Sequence, residues 1–233
     1  MTARHILDEL HSVADEAKAT HLQRFFKTGA GQYGEGDTFL GIVVPVTRRI
    51  AMSNHRTPLN ELDLLIKSKY HEARLCALLI LTERCRKTSG SERDELYRFY
   101  LAHTDHINNW DLVDLSCPTV VGAHLVDRER EVLYRMAEKQ HLWEQRIAIV
   151  STHAFIRQND FGDTFALSKK LITHPHDLIH KAVGWMLRET GKRDRESLTA
   201  FLEIYATRLP RTALRYAIEH YPEAERQYFL KKK

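Results

Sequence analysis

The sequence predicts an all-α fold, and three observations lead to this prediction. Apolar residues recur at helical spacing along most of the chain, beginning with Ile6, Leu7 and Leu10. No long segment alternates apolar and polar residues at period two, as a half-buried strand would. Short segments with a polar or aromatic first residue and a small or apolar centre also recur at nearly constant spacing, which is typical of stacked helices.

The length and the cysteine content indicate one sizeable globular unit in a reducing compartment. A chain of 233 residues can bury about 70–75% of its unfolded surface, so we expect a single domain over 1–233 that contains a loop at 28–41. Cys76, Cys85 and Cys117 have neither disulfide-framework nor metal-site spacing. Without a signal-like or membrane-length apolar run, the sequence predicts a soluble cytoplasmic protein.

Charge is distributed unevenly along the chain. The formal net charge is +4, but residues 141–233 hold 16 Lys and Arg against 11 Asp and Glu, whereas residues 1–140 hold 19 against 20. The second part therefore has an excess of +5 and the first an excess of −1. This asymmetry points to a polyanionic partner, although solvated basic faces are common.

The first elements are separated by a glycine-rich loop. Residues 3–27 predict one or two helices, and five of the ten glycines then fall within Gly29–Gly41. This loop lacks the GK[ST] ending of a phosphate-binding loop and follows no predicted strand, which disfavours a nucleotide site. Pro45 suits the first turn of the next helix, and Thr57 is expected to cap the helix after that.

Later helices are separated by short polar breaks. The predicted breaks are Lys87–Ser91, His103–Asn109, Asp127–Arg130, Gln158–Asp163, Thr173–Asp177, Gly191–Asp194 and Leu209–Arg211.

Five segments define an internal repeat. Their starts are separated by 36, 36, 35 and 34 residues, and an amphipathic helix precedes each of them. The segments are Arg74–Leu78, Trp110–Asp114, Arg146–Val150, Lys181–Trp185 and Arg215–Glu219. Helix pairs of this kind bury their apolar faces only against their neighbours, so the sequence predicts a curved α-solenoid of HEAT-like repeats, an armadillo- or HEAT-type superhelix.

The repeat register predicts a basic groove. Arg or Lys holds the first position in four of the five segments, and Trp110 holds it in the remaining one. In a stack of helix pairs, equivalent positions of the second helix of each pair line one surface. Asp114 and Trp185, four residues further along their segments, should face the same groove. A row of cations suits a polyanion, because Lys and Arg contacts to phosphates are independent of base sequence. The alternative is that each cation pairs with an acidic residue of an adjacent helix.

Trp110 and Asp114 are the candidate chemical pair. On a helix they lie at i and i+4, on one face and close enough to share a small site. Asp111, about 100° away, is expected to be structural and to cap the helix near its start. Pro118 should kink or end the helix, because it has no N–H for the carbonyl of Asp114. The alternative for the pair itself is an ordinary amphipathic helix.

These residues resemble the alkylpurine DNA glycosylases of the AlkD type, which are HEAT-repeat DNA alkylation repair enzymes. The resemblance covers about Phe25 to Tyr221, and its most specific parts are WDLVD at Trp110–Asp114 and KAVGWMLRE at Lys181–Glu189. Two further matches are QRIA at Gln145–Ala148 and FLGIxxP at Phe39–Pro45. Departures are Asn109, where some relatives carry another tryptophan, and Val43–Val44, where some carry polar residues.

The resemblance implies a set of site residues. The catalytic carboxylate falls on Asp114, the lesion-facing indoles on Trp110 and Trp185, and a DNA-contacting arginine on Arg146. With the basic register and the matching strings, the predicted DNA-binding residues are Arg146, Lys181, Arg188, Arg74, Arg215, Arg211, Pro45 and Arg48.

The implied activity is hydrolysis of the N-glycosidic bond of cationic N3- or N7-alkylated purines in duplex DNA, without extrusion of the base. We expect a monomeric, monofunctional glycosylase with no cofactor, no metal and no obligate protein partner. The fourteen histidines are expected to cap helices or lie on the surface. Two alternatives remain: a non-catalytic repeat scaffold that recognises distorted or branched DNA, and a solenoid that binds protein.

Overall fold

A computed structural model describes residues 1–232, and over these residues the protein is all-helical, as predicted. It contains fifteen α-helices and two short 3-10 helices. The described residues form no strand, and the one β-bridge joins Thr38 to Tyr70. Within the same range, no helix is long and apolar enough to cross a membrane.

The first of two compact units comprises Met1–Val120. Its elements are α1 (Ala3–Ser12), α2 (Glu16–Phe25), α3 (Val44–Ser53), α4 (Leu59–Ile66), α5 (His71–Lys87), α6 (Gly90–Ala102), a 3-10 helix (Thr104–His106) and α7 (Trp110–Val120). Helix α5 packs against α1, α3, α4, α6 and α7. Every residue of α5 from 71 to 82 is buried, as expected of a helix enclosed on all sides.

The second unit comprises Val121–Lys233 and is described to residue 232. Its elements are a 3-10 helix (Gly122–His124), α8 (Glu131–Glu138), α9 (Leu142–Ser151), α10 (His153–Ile156), α11 (Gly162–Lys170), α12 (Asp177–Arg193), α13 (Arg195–Tyr205), α14 (Arg211–Ala217) and α15 (Glu223–Lys231). Helix α12 packs against α9, α11, α13 and α14. Gly184 permits its close approach to α14, because a Cβ there would lie 2.6 Å from the carbonyl oxygen of Ala213.

The predicted helix repeats are present. The five repeated segments lie in or begin α5, α7, α9, α12 and α14, and another helix precedes each: α4, α6, α8, α11 and α13. In the first unit, α3, α5 and α7 pack in sequence, and in the second unit α9, α12 and α14 do so. The prediction of a single domain over the whole chain stays a prediction.

Three local predictions need correction. Of the two outcomes predicted for Pro118, the helix end is wrong because α7 continues to Val120, whereas the kink stays a prediction. Thr57 does not cap α4: Pro58 holds the N-cap position, and the Thr57 hydroxyl donates instead to the carbonyl of Asn54 at 2.7 Å. The predicted break at Gly191–Asp194 is reduced to Asp194, because α12 continues to Arg193 and α13 begins at Arg195.

The glycine-rich segment at 28–41 is a loop, as predicted, and it returns to the core at its end. Gly41 has φ of 82° and lies so close to α2 that a Cβ would be 2.0 Å from the carbonyl oxygen of Asp15. The buried carboxylate of Glu72 accepts the N–H groups of Leu40, Gly41 and Ile42 at 2.9, 2.9 and 3.1 Å. This side chain fixes the backbone that leads into α3.

Candidate functional site

The start of α7 is held by polar side chains next to one another in the sequence. The amide of Asn108 donates to the Asp37 carboxylate at 2.8 Å, and the side-chain oxygen of Asn109 accepts the N–H of Trp110 at 2.9 Å. The Asp111 carboxylate accepts the N–H of Leu112 at 2.9 Å, which confirms its expected capping role. Two backbone donors of the first turn of α7, the N–H groups of Trp110 and Leu112, thereby have the side-chain acceptors that a helix start needs.

Asp111 and His71 join α7 to α5. Asp111 is 4% exposed and His71 is 2% exposed, and the imidazole Nε2 lies 2.9 Å from an Asp111 oxygen. Burial opposes the charged form of the imidazole, but the charge of Asp111 and its hydrogen bond outweigh burial and raise the His71 pKa to about 9. His71 is therefore a buried cation at neutral pH.

Asp37 completes this cluster from the glycine-rich loop. Its carboxylate lies 3.3 Å from His71 Nδ1 and 2.6 Å from a guanidinium nitrogen of Arg74. Burial opposes ionisation of Asp37, but the hydrogen bond from His71 and the charge of Arg74 outweigh it and lower its pKa. We call Asp37, His71, Arg74 and Asp111 the buried charge cluster; its formal charges sum to zero.

Two phenylalanine rings connect the same histidine to Trp110, so that four rings form one stack. His71 stacks on Phe39 with ring centroids 4.4 Å apart, Phe39 stacks on Phe26 at 5.0 Å, and Phe26 stacks on Trp110 at 5.2 Å. The planes in each pair are within 20° of parallel. Phe25 adds an edge contact to Trp110 at 6.1 Å. We call the four stacked rings the ring column; they fix the plane of the indole.

Trp110 and Asp114 are both half-buried and lie one turn apart on the same side of α7. The two carboxylates of this helix thus have different surroundings. Asp111 is buried and bound to His71, whereas Asp114 retains access to solvent. Of the two, Asp114 is the carboxylate that an external ligand can reach.

In the second unit, the predicted residues differ in exposure. Arg146 is 5% exposed and donates to the carbonyl of Leu178 at 2.6 Å. Lys181 is half-buried and pairs with Asp177 at 2.8 Å. The half-buried ring of Trp185 lies 6.1 Å from that of His153, between centroids. Burial lowers the pKa of His153.

The remaining predicted DNA-binding residues also have distinct surroundings. Arg188 pairs with Glu219 and lies 3.5 Å from a carboxylate oxygen of Glu189. Arg211 is exposed and donates to the carbonyl of Leu230 at 2.9 Å. Arg215 and Pro45 are exposed, and Arg48 is half-buried.

Arg74 departs most from the predicted basic groove. It is 4% exposed, and its guanidinium donates to Asp37 and, at 2.9 Å, to the carbonyl of Ser68. For Arg74 the structure shows the alternative that was considered for these cations, which is pairing with an acidic residue. The surface row predicted from the register is wrong at this position because α5 is enclosed on all sides.

Sequence reasoning missed the residues that support α7. Asp37, Asn108 and the rings of Phe26 and Phe39 come from segments predicted as loops or helix ends. A signal did exist: His71, Glu72 and Arg74 are polar residues that directly precede the apolar run Leu75–Leu81 of the same helix. Buried polar side chains need partners, so such a group predicts a network.

The fold and the site define a helical-repeat protein with a tryptophan and a carboxylate on one supported helix face. The sequence matches the family described as DNA alkylation repair enzyme over residues 6–221. The chain belongs to this family, whose name denotes a role in DNA repair. A solved structure described as a predicted DNA alkylation repair enzyme from Enterococcus faecalis is similar, with a TM-score of 0.69 and 16% identity over 90% of this chain and 97% of that one. No curated protein matches the chain.

Proposed function

We propose that the protein is a monofunctional DNA glycosylase of the AlkD type that releases N3- and N7-alkylated purines from duplex DNA. The observation that carries the proposal is the arrangement on α7. Trp110 and Asp114 share one face, and the helix start is fixed by the buried charge cluster. Because the Asp111 carboxylate is buried and bound to His71, we assign the catalytic role to Asp114.

The chemistry suits a single carboxylate. A purine alkylated at N3 or N7 carries a positive charge and is already a good leaving group. When the C1′–N bond breaks, its electron pair goes to the base and C1′ develops oxocarbenium character. The Asp114 carboxylate stabilises that charge and orients the water that adds to C1′, as carboxylates do in glycoside hydrolysis. The proton lost by this water passes to solvent through the carboxylate.

The indoles select for charged bases. A cation over an indole face gains about 0.5–2 kcal/mol, most when water is excluded. Trp110 is suited to this role because the ring column fixes its plane. The family resemblance assigns the same role to Trp185. Neutral purines gain no such attraction, so they are disfavoured as substrates.

The proposed reaction leaves the lesion stacked in the duplex. Many enzymes that act on bases extrude the base into a deep pocket. An enzyme that attacks C1′ of a stacked nucleotide from the sugar side needs instead a flat face with a carboxylate and aromatic rings. Bulky adducts are then accepted as well as methyl groups. The hydrolysis uses water and needs no organic cofactor or metal.

The proposed DNA contacts are mainly electrostatic. Arg211 and Arg215 are exposed and Arg48 and Lys181 are half-buried, so their charges are accessible to phosphates. Contacts of this type give binding that weakens steeply with salt. The family resemblance is the basis for proposing Arg146 as a DNA contact. Its hydrogen bond to the carbonyl of Leu178 holds its side chain in place.

The test is release of 7-methylguanine from methylated duplex DNA under single-turnover conditions. We expect release by the wild type and a loss of at least about 100-fold in Asp114→Asn, because removal of one charge-stabilising group typically costs 10²–10³ in rate. Glu95→Gln is the matched control, since it removes an exposed carboxylate on α6. Equal rates for wild type and Asp114→Asn would remove Asp114 from the mechanism.

The same assay separates the proposal from a non-catalytic scaffold. A scaffold would bind methylated duplex with a salt-dependent affinity and release no base at any enzyme concentration. Product analysis then tests whether the enzyme is monofunctional. An intact abasic strand is expected after base release, because no Schiff-base nucleophile is part of the mechanism.

A further inference from the structure

We propose that His71 is a positioning residue for the site on α7, a role that rests on the proposed function. Its imidazole joins Asp37 to Asp111 and ends the ring column that supports Trp110. Through these contacts it sets the orientation of the indole and of the helix turn that carries Asp114. His71 itself touches neither residue's reacting group, so its role is indirect.

Both ring nitrogens of His71 face a carboxylate. Nδ1 faces Asp37 at 3.3 Å and Nε2 faces Asp111 at 2.9 Å. A neutral imidazole has one N–H and could donate to only one of these carboxylates, whereas an imidazolium donates to both. The geometry therefore fits the charged form, in agreement with its pKa of about 9.

The charges around His71 balance only when its imidazole is charged. The titratable groups around the imidazole are Asp37 from the loop, Asp111 from α7 and Arg74 from α5 itself; the other contacts are the rings of Phe26 and Phe39. With His71 charged, two cations meet two anions. With His71 neutral, Arg74 alone faces two buried carboxylates, which is costly in a low-dielectric interior.

Two separate routes of contacts lead from His71 to the site on α7. One route is the hydrogen bond to Asp111, which follows Trp110 directly in the sequence. The other is the stack through Phe39 and Phe26 to the indole. A shift of His71 would thus move both the helix turn and the ring plane. Catalysis is sensitive to such shifts, since a misplacement of about 1 Å can cost 10²-fold.

The experiment compares wild type with His71→Gln and His71→Phe. Glutamine keeps a donor without the charge, and phenylalanine keeps a ring without donors. His55→Gln, at a half-buried histidine elsewhere in the first unit, is the matched control. We expect kcat for 7-methylguanine release to fall 10- to 100-fold in both His71 variants, with KM changed less than about 3-fold. The control is expected to match the wild type.

A readout that needs no DNA uses 5-fluorotryptophan in the full chain. The protein has three tryptophans, and Trp110→Phe assigns the Trp110 signal in the ¹⁹F spectrum. We expect this signal to shift in both His71 variants, and to titrate in the wild type with the midpoint at which the His71 imidazole loses its proton. The wild-type titration remains informative if a variant fails to fold.

The outcomes separate the two proposals. Absence of base release by the wild type refutes the glycosylase while leaving the fluorine readout of His71 intact. A wild-type enzyme that releases base, with unchanged kcat and an unchanged Trp110 signal in the His71 variants, overturns the positioning role. A Trp110 signal that ignores the protonation state of His71 overturns it as well.

Discussion

A guanidinium nitrogen of Arg74 lies 2.6 Å from a carboxylate oxygen of Asp37, and both side chains are at least 93% buried. This ion pair joins the glycine-rich loop to the most enclosed helix of the first unit. Buried pairs add little stability compared with well-packed apolar residues, but breaking one leaves an uncompensated charge. The pair therefore acts chiefly to fix the place where the loop lies against α5.

Asp37→Asn is expected to lower the free energy of unfolding by about 3–5 kcal/mol, because Arg74 and His71 would then remain buried with one carboxylate fewer. Urea denaturation measures the loss. Asp8→Asn, an exposed position on α1, serves as control and should stay within about 0.5 kcal/mol of wild type. A loss of similar size in both variants would contradict the role given to the pair.

The stability of the protein should decrease as the pH rises through the titration of His71. Its pKa is raised from 6.5 to about 9 on folding, so its stabilising contribution is complete below about pH 6.5 and is lost as the pH passes about 9. The full difference corresponds to about 3 kcal/mol. Unfolding by urea at several pH values should show this decrease in wild type and lack it in His71→Gln.

Loss of an indole should reduce activity on charged bases. Trp110→Ala and Trp185→Ala are each expected to slow release of 7-methylguanine by about 2- to 30-fold, the range that corresponds to a cation–π contribution of 0.5–2 kcal/mol. Trp110→Phe should lose less, since a smaller ring remains. The third tryptophan, Trp143, is 6% exposed and is expected to affect stability instead, so Trp143→Phe is the comparison. Faster release in either alanine variant would argue against lesion contact.

The glycine-rich loop should be sensitive to a methyl group at one position and tolerant at another. A Cβ at Gly34 would lie 2.6 Å from the carbonyl oxygen of Phe26, whereas at Gly29 the nearest atom, at 3.1 Å, belongs to the flexible side chain of Gln32. Gly34→Ala is expected to cost about 1–3 kcal/mol, typical of overpacking, and Gly29→Ala should be close to neutral. Thermal unfolding of the two variants, side by side, provides the check.

The salt dependence of DNA affinity should identify which basic side chains contact phosphates. Lys181→Ala and Arg215→Ala are each expected to reduce the log–log slope of DNA affinity against salt by about 1, because each removes about one phosphate contact. Arg74→Ala should instead reduce stability, since its side chain is buried. Measured slopes unchanged in both surface variants would point to a partner other than DNA.

The sequence predicted the helices, the repeat spacing and the position of Trp110 and Asp114 on one helix face, because each depends on periodicity along the chain. The prediction failed at Arg74, which the repeat register placed on the surface but which is buried. Register places a residue on a helix face, but it does not say whether that face meets solvent or another element. The enclosure of α5 by five other helices depends on tertiary packing and could not be predicted from its own sequence.

The contacts that support the site could not be predicted from local sequence patterns either. Asp37 and Asn108 are separated by 71 residues, and the stacking of Phe26 between Phe39 and Trp110 depends on where three separate segments come together. The role of Asp111 was predicted correctly because its capping bond to Leu112 is local. Its bond to His71, across 40 residues, was not predicted.

The buried charge cluster also has a consequence for the growing chain. Asp37, His71 and Arg74 are synthesised before Asp111, so a nascent chain that stops short of α7 lacks one of the two carboxylates that face His71. His71 cannot hold its proton as firmly until Asp111 arrives. The helix that carries Trp110 and Asp114 thus supplies the last charge of the cluster that holds its own first turn.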